Sequence, residues 1–328
     1  MSLDADAIVD RRRMRRKLTF WRVIAVLVAI VAILLIGLAL RGRGGFELTG
    51  PVTAQVARIK ISGIIRGDLE RVQALDRLAK SRAARAVIVH IDSPGGTTSG
   101  AEQLYAALRQ VAARKPVAVV VDGMAASGGY IAAMAGDYIV AEGNSLVGSI
   151  GVLFQYPKVE DLLSHLGVKV EEVKSTPLKA VPNFFEPTTP EARAAIKSLV
   201  MDSYSWFRGL VGERRGLNGS SLENVTDGRV FTGRQALDLK LVDALGFEQT
   251  AVDWLIKAKG IDASLPVRDW ELRSRLRELP FLHAGQAVLL ALGLETLAAR
   301  IEGAGTVQAL ERLNLDGLLA LWHPQMTN

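Results

Sequence analysis

The chain contains no cysteine, which excludes a disulfide framework, a thiol nucleophile, an iron–sulfur cluster and a cysteine-ligated zinc. The compartment stays open, because an oxidising one permits disulfides without requiring them. Histidine is scarce, four in 328 residues, and no histidines and carboxylates stand at a metal-ligand spacing such as H-E-x-x-H. Aromatic residues make only 6%, too few to interleave with cations as a platform for stacked bases. Acids are the minority and the formal charge is +6, but the excess is confined to one end. Up to Gly45 the chain carries RRRMRRK at Arg11–Lys17, with Arg22, Arg41 and Arg43, against Asp4, Asp6 and Asp10; the remainder is neutral. That excludes a basic nucleic-acid-binding body, and no nucleic-acid partner is expected.

What the chain has in quantity is apolar sequence, 49% of residues, enough for a substantial core. Val23–Leu40 (VIAVLVAIVAILLIGLAL) is uncharged and about as long as a ~30 Å hydrocarbon core requires. It exceeds the roughly 7–15 residues of a signal-peptide core, although Gly37-Leu38-Ala39 has the small-x-small form of a cleavage site. Trp21 marks the entry, the basic cluster precedes the run and only Arg41 and Arg43 follow it closely. A retained single-pass anchor with a cytoplasmic N-terminus is therefore expected. The expected layout is a basic segment over 1–20, an anchor over 21–41, a linker over 42–50, a folded domain over 51–260 and a helical extension over 261–328.

Within the folded domain, Val52–Ser62 alternates as a half-buried strand does, while Ala86–Ile91 and Pro116–Val121 are near-continuous apolar runs suited to strands covered on both faces. Helical patterns at Leu69–Ala84 and Ala101–Arg114 separate them, the second opened by a capping-box pair, Ser99 and Glu102. This alternation predicts an α/β fold with a parallel sheet. Tyr138–Ala141 and Val168–Val173 read as further strands. Thr189 and Pro190 open a long helix reaching about Glu213, and Ser220 with Glu223 forms a second capping box. From Ile261 the sequence loses its strand pattern and becomes Leu- and Ala-rich, which predicts helices packed on the body or on a neighbouring subunit, with an interfacial membrane helix as the alternative.

Three glycine-bearing segments follow or interrupt apolar strands: Asp92–Gly96, Met124–Tyr130 and Gly148–Val152. In α/β sheets the strand ends are where sites are built. Ser127 falls on a sharp strand-to-helix turn resembling a nucleophile elbow, with Ala125 where glycine is usual. The Gly128 amide is a natural oxyanion donor there, and the Gly95-Gly96 turn is placed to supply a second. Read by itself, Ser127 could equally cap the helix. A serine nucleophile needs a base. His90 and Asp92 share a strand face but would lie in the sheet, below the strand ends. His165, His283 and His323 read as surface or packing residues. Lysine serves instead where its neutral form is available, and Lys158, Lys169, Lys174 and Lys179 follow the glycine segments.

In order and spacing, D-S-P-G-G (92–96), A-A-S-G-G-Y (125–130), G-S-I-G-V (148–152), K-S-x-x-x-K (174–179) and the long D-G-R-V-F-T-G-R-Q-A-L segment from Asp227 resemble the signal peptide peptidase A (protease IV) family in its short bacterial form. The resemblance extends from the anchor to about Gly260. It implies a membrane-anchored Ser-Lys endopeptidase with a ClpP/crotonase-like fold of repeated ββα units. It further implies Ser127 as nucleophile, Lys179 as general base, Gly96 and Gly128 as oxyanion donors and Ser149 as the residue that orients the lysine. The implied substrates are cleaved signal peptides and other apolar segments, with no metal or organic cofactor. The implied setting is the bacterial inner membrane, with the catalytic domain outside the cytoplasm. The family's short forms imply a homo-oligomeric ring or dome, an octamer among its forms, in which Lys179 comes from the neighbouring protomer. Thr176 and Lys240 depart from the family by replacing glycines. Two other readings stay open on the sequence: a crotonase-like hydratase or isomerase of acyl thioesters, and a non-catalytic membrane scaffold.

Overall fold

The computed structural model describes Trp21, Ile24, 53–272 and Leu318–Leu321. The expected membrane run lies outside these residues apart from Ile24, which like Trp21 is helical. Among the described residues no helix is long and apolar enough to cross a membrane. Contacts divide the chain at Val52/Thr53, and every described strand belongs to the second unit.

Strand β1 (Gln55–Ser62) leads through helix α1 (Leu69–Lys80) to β2 (Ala84–Ser93), a short β3 (Gly95–Thr97) and α2 (Thr98–Ala112). Next come β4 (Val117–Ala126), α3 (Gly128–Ala133), β5 (Tyr138–Ala141), β6 (Leu146–Gly148) and β7 (Leu153–Phe154). The remainder is α4 (Glu160–His165), α5 (Pro190–Arg215), α6 (Gly219–Glu223), β8 (Val230–Thr232), α7 (Gly233–Asp238), β9 (Ala244–Leu245), α8 (Glu248–Lys259), β10 (Val267–Asp269) and β11 (Leu318–Leu321). The main sheet runs β10-β1-β2-β4-β5-β9, all parallel, so the expected mixed α/β architecture with a parallel sheet is what the chain adopts.

The apolar runs of β2 and β4 are continuous because both sheet faces are covered. Successive side chains point to opposite sides. Val87, Val89 and Ile91 therefore join a large core with Leu75 and Leu78 of α1 and Leu104 and Leu108 of α2. Ala86, Ile88, Ala118 and Val120 face the other way, onto Ala251 and Leu255 of α8. His90, in that second register, has its ring nitrogens 2.8 Å from Asp122 Oδ1 and 2.7 Å from Glu248 Oε2. Arg58 donates to the same Glu248 carboxylate, so a polar cluster closes the end of the α8 interface. Asp92, on the same strand as His90, is not its partner.

Strand β4 changes neighbour along its length. Its first half pairs with β5 and its last residues, Met124–Ala126, pair with β6, which is in turn flanked by the antiparallel β8. Between the pairs Ile91↔Val121 and Ser93↔Ala125, β4 advances four residues while β2 advances two. Such a bulge bends the strand and re-aims the residues beyond it. The first residue beyond β4 is Ser127.

Several local expectations change. The cap of α2 is Thr97, whose hydroxyl accepts from the Gly100 amide at 3.1 Å, rather than the Ser99/Glu102 pair, because β3 carries extended backbone as far as Thr97. The cap of α6 is Asn218, paired with Ser221 rather than Ser220 with Glu223. Thr189 and Pro190 open α5 as expected. Val168–Val173 forms no strand: its alternation finds no partner edge, and Val168, Val170 and Val173 are exposed. The extension over 261–328 is not helical where it is described. Val267–Asp269 adds a parallel strand beside β1, and Leu318–Leu321 forms an antiparallel one; its Ala- and Leu-rich stretch at Ala287–Gly303 lies outside the described residues.

Candidate active site

Ser127 joins the end of β4 to the start of α3 with φ 54° and ψ −116°. A non-glycine residue rarely adopts this backbone, at a cost of about 1–3 kcal/mol that the surrounding structure must sustain. The residue is only 1% exposed. Its side chain makes no capping hydrogen bond to the helix that it precedes, so the simple cap reading does not describe it. Its amide donates to the Gly148 carbonyl at 2.7 Å, which ties the turn to the end of β6. Gly128 opens α3, where helix amides have no acceptor within their own helix.

Three close approaches hold the glycine segments together. A Cβ placed on Gly129 would lie 2.6 Å from the Ser93 carbonyl oxygen, so α3 sits directly on the end of β2. A Cβ on Gly96 would lie 1.7 Å from the Ile65 carbonyl oxygen, and one on Gly100 2.5 Å from the Arg66 carbonyl carbon. Segment 65–67 thus lies against the turn, with the Thr97 amide donating to Ile65 and the Ile65 amide to Gly95, at 2.9 and 2.8 Å. Ser93, fully buried, donates from Oγ to the Gly63 carbonyl and accepts from the Gly95 amide, at 2.7 and 3.1 Å.

Helix α3 is short, and distant residues hold its far end. Tyr130 is wholly buried and donates to the Leu241 carbonyl at 2.8 Å. Arg214 donates to the carbonyls of Met134 and Gly136, both at 2.8 Å, and Arg109 to that of Ala135 at 2.9 Å. Cations at the end of a helix satisfy its last carbonyls and suit its dipole. None of these partners was visible in the sequence, since each lies 26 to 111 positions away.

The chain brings Ser127, Gly128, Ser149 and the Gly96 turn into one region. Gly148 pairs with Ala126, and Ser149 follows with φ 50°, its amide donating to Arg229 at 2.8 Å. No hydrogen bond joins Lys179 to them among the described residues. That residue is exposed in the segment between β7 and α5; its amide donates to Thr176, and its ammonium has no hydrogen bond or ion pair among the described residues. The other candidate lysines divide. Lys174 is held between Glu172 and Glu186, at 2.7 and 2.8 Å, and these hydrogen bonds push its pKa up. Lys158 pairs with Glu160 at 2.6 Å. Lys174 is thus fixed as a cation and Lys158 is ion-paired, which leaves Lys169 and Lys179 exposed and unpaired among the described residues. Among those residues, too, no cluster of histidine and carboxylates could hold a metal ion.

The description "Peptidase family S49" matches residues 109–262 and "Clp protease" matches residues 59–142. "Putative protease slr0021" of Synechocystis is 35% identical over 209 residues, covering 63% of this chain and 76% of that protein. "Putative signal peptide peptidase SppA" of Enterococcus faecium is 29% identical over 186 residues, covering 56% of this chain and 54% of that protein. Among solved structures, a ClpP1 mutant from Listeria monocytogenes superposes with a TM-score of 0.41 at 15% identity, covering 60% of this chain and 94% of that one.

Proposed function

The chain belongs to peptidase family S49 and is a serine peptidase, and on that premise we propose that it is a membrane-anchored endopeptidase clearing cleaved signal peptides, with Ser127 as nucleophile and Lys179 as base. The observation that carries this reading is Ser127 itself: a buried serine in a disfavoured backbone, at the end of a bulged central strand, whose hydroxyl caps nothing.

In the proposed reaction Ser127 Oγ attacks the scissile carbonyl while its proton passes to the neutral Lys179 amine. The carbonyl oxygen becomes an oxyanion held by the Gly128 and Gly96 amides. Lys179 returns the proton to the leaving amine, and water, deprotonated in turn, releases the acyl group. Ser149 positions the lysine. In this reading Lys179, which has no hydrogen bond to Ser127 within the chain, is lent by a neighbouring copy. The exposed apolar side chains around it support an assembly face, Val173 at 105% exposure among them, with Leu178, Phe184 and Phe185. Patches of this kind mark interaction sites. The uncharged run Val23–Leu40 is long enough for an anchor, which supports membrane attachment in this reading.

Purified wild type, Ser127→Ala and Lys179→Ala are to be compared on an apolar peptide with mapped products. Each variant alone should fall to background, and mixed they should recover activity, because a Ser127→Ala copy still lends its lysine. Cleavage by Ser127→Ala refutes the nucleophile. Failure of the mixture to recover, with both variants assembled, refutes the shared site.

A further inference from the structure

The segment that begins at Asp227 is the longest of the sequence motifs, and none of its residues enters the reaction proposed above. In the fold it is a strap along the loop that carries Ser149. Val230, Phe231 and Thr232 of β8 oppose Gly148, Val147 and Leu146 of β6, and one step beyond this ladder the Ser149 amide donates to the Arg229 carbonyl at 2.8 Å. A Cβ on Gly148 would lie 3.0 Å from the Phe231 ring and 3.3 Å from that same carbonyl oxygen, and one on Gly151 3.6 Å from the Gly228 Cα. The loop therefore lies along the strap from Gly148 to Gly151. Ser149 is 8% exposed and takes φ 50°, a region rare for a residue with a side chain, so its setting depends on the contacts around it.

The strap is itself anchored just before it reaches Ser149. Thr226 is buried; its hydroxyl donates to the Leu222 carbonyl at 2.8 Å, and its carbonyl accepts from the Tyr204 hydroxyl at 2.7 Å. Gly228 then turns the chain with φ 90°, and the Asp227 carboxylate closes the turn. Its Oδ1 accepts from the Arg229 amide at 3.2 Å and its Oδ2 from Arg229 Nε at 2.6 Å. An aspartate bonded to the main chain two residues on is a local device for setting a turn. Hydrogen bonding from the Arg229 side chain also holds the Asp227 carboxyl below its ordinary 3.8. Both side chains are exposed, and an exposed ion pair adds little to stability. What the pair sets is the direction of one carbonyl.

We propose that Asp227 is a positioning residue of the active site: by closing the Gly228 turn it aims the Arg229 carbonyl at the Ser149 amide, and so fixes the serine that orients the lysine. This rests on the reading of Ser149 given above. Asp227 touches neither substrate nor base and acts through two main-chain groups. Its loss therefore slows the chemical step and disturbs the base, while the fold and substrate binding stay nearly as they were.

The test uses the full-length protein and an apolar fluorogenic peptide. Asp227→Ala removes both bonds, and Gly228→Ala strains the same turn from a position where an added Cβ meets nothing within 4 Å. Each should lose about 10- to 100-fold in kcat, with KM within about twofold of wild type. Asp227→Asn keeps an oxygen for the Arg229 amide and should restore kcat to within about threefold of wild type. Both alanine variants should melt within about 3 °C of wild type. The pH profile of kcat/KM reports the ionisation of the base in the free enzyme. Ser149→Ala should displace its acid limb, and Asp227→Ala and Gly228→Ala should displace it in the same direction, by about half a unit or more. Wild-type kcat and profile in both alanine variants, with Ser149→Ala displaced, overturn the proposal, as does an Asp227→Asn variant as slow as Asp227→Ala. A wild-type profile in Ser149→Ala overturns the reading of Ser149 instead, so the two failures are told apart.

Discussion

Gly96→Ala tests the proposed oxyanion hole at the point where the structure leaves least room. The added methyl would lie 1.7 Å from the Ile65 carbonyl oxygen, 2.5 Å from its carbon and 2.7 Å from its nitrogen. These are backbone atoms, so no rotamer change relieves the contact. Ordinary van der Waals separation begins at 3.4 Å, and the turn must therefore move by more than 1 Å against segment 65–67. A displacement of about 1 Å at a reacting centre costs on the order of 10²-fold in rate, and loss of one oxyanion donor about 10²–10³. The expected result is a fall in kcat of about 10²–10³ with a smaller change in KM, since the donor acts on the charge that develops in the transition state. Gly67→Ala is the control: it lies on the same segment, and its nearest neighbour would be a Gln103 side-chain oxygen at 3.8 Å. Circular dichroism and thermal melting establish that both variants are folded. If folded Gly96→Ala keeps kcat within about threefold of wild type, Gly96 is not a donor in the reaction.

Two further perturbations probe the supports of the site. Tyr130→Phe removes the side-chain donor to the Leu241 carbonyl and leaves that acceptor buried, which costs about 1–3 kcal/mol and lowers Tm by on the order of 5 °C; an unchanged Tm would show that the bond contributes nothing. For Glu248, burial alone would raise the pKa, but hydrogen bonds from Arg58 and His90 outweigh it and hold the carboxyl below its ordinary 4.5. A depressed folded pKa contributes stability that is present above the ordinary value and is lost as pH falls through the folded one. Wild type should therefore lose Tm steeply below pH 4.5, whereas Glu248→Gln, less stable at pH 7, should respond more weakly; parallel curves would refute the coupling.

The parallel sheet was legible because its strands are buried on both faces, so Ala86–Ile91 and Pro116–Val121 appear as unbroken apolar runs. The strand-to-helix turn at Ser127 was legible for a similar reason: small residues cluster where backbones approach closely, and a Cβ on Gly96, Gly100 or Gly129 would lie under 3 Å from another backbone. Periodicity misled where it had no partner to act on. Val168–Val173 alternates but meets no edge, while Leu318–Leu321 does not alternate and is nonetheless a strand, because two open edges receive it. Both capping boxes missed by two residues, since the cap belongs to the last extended residue and not to the best-matching pair. Lys240 adopts φ 59°, which explains physically why glycine suits that position and why its replacement there is tolerable but strained.

The proposed nucleophile and the proposed base differ in how the fold holds them, and the difference bears on control of the proposed activity. Ser127 is over-determined: the β4 bulge, the Gly148 carbonyl, the Ser93 contact beneath Gly129, Tyr130 and the arginines beneath α3 all fix its turn. This rigidity is what a backbone costing about 1–3 kcal/mol needs in order to persist. Lys179 has no comparable tether, and its nearest lysine, Lys174, is instead locked between two carboxylates. A rigid serine without its base attacks slowly, because a free hydroxyl is a weak nucleophile until a neighbour takes its proton. On the proposed reading the arrangement would separate folding from activation: each chain would build Ser127 as part of its core, and chemistry would begin only when an exposed, apolar segment of a second chain delivered the amine.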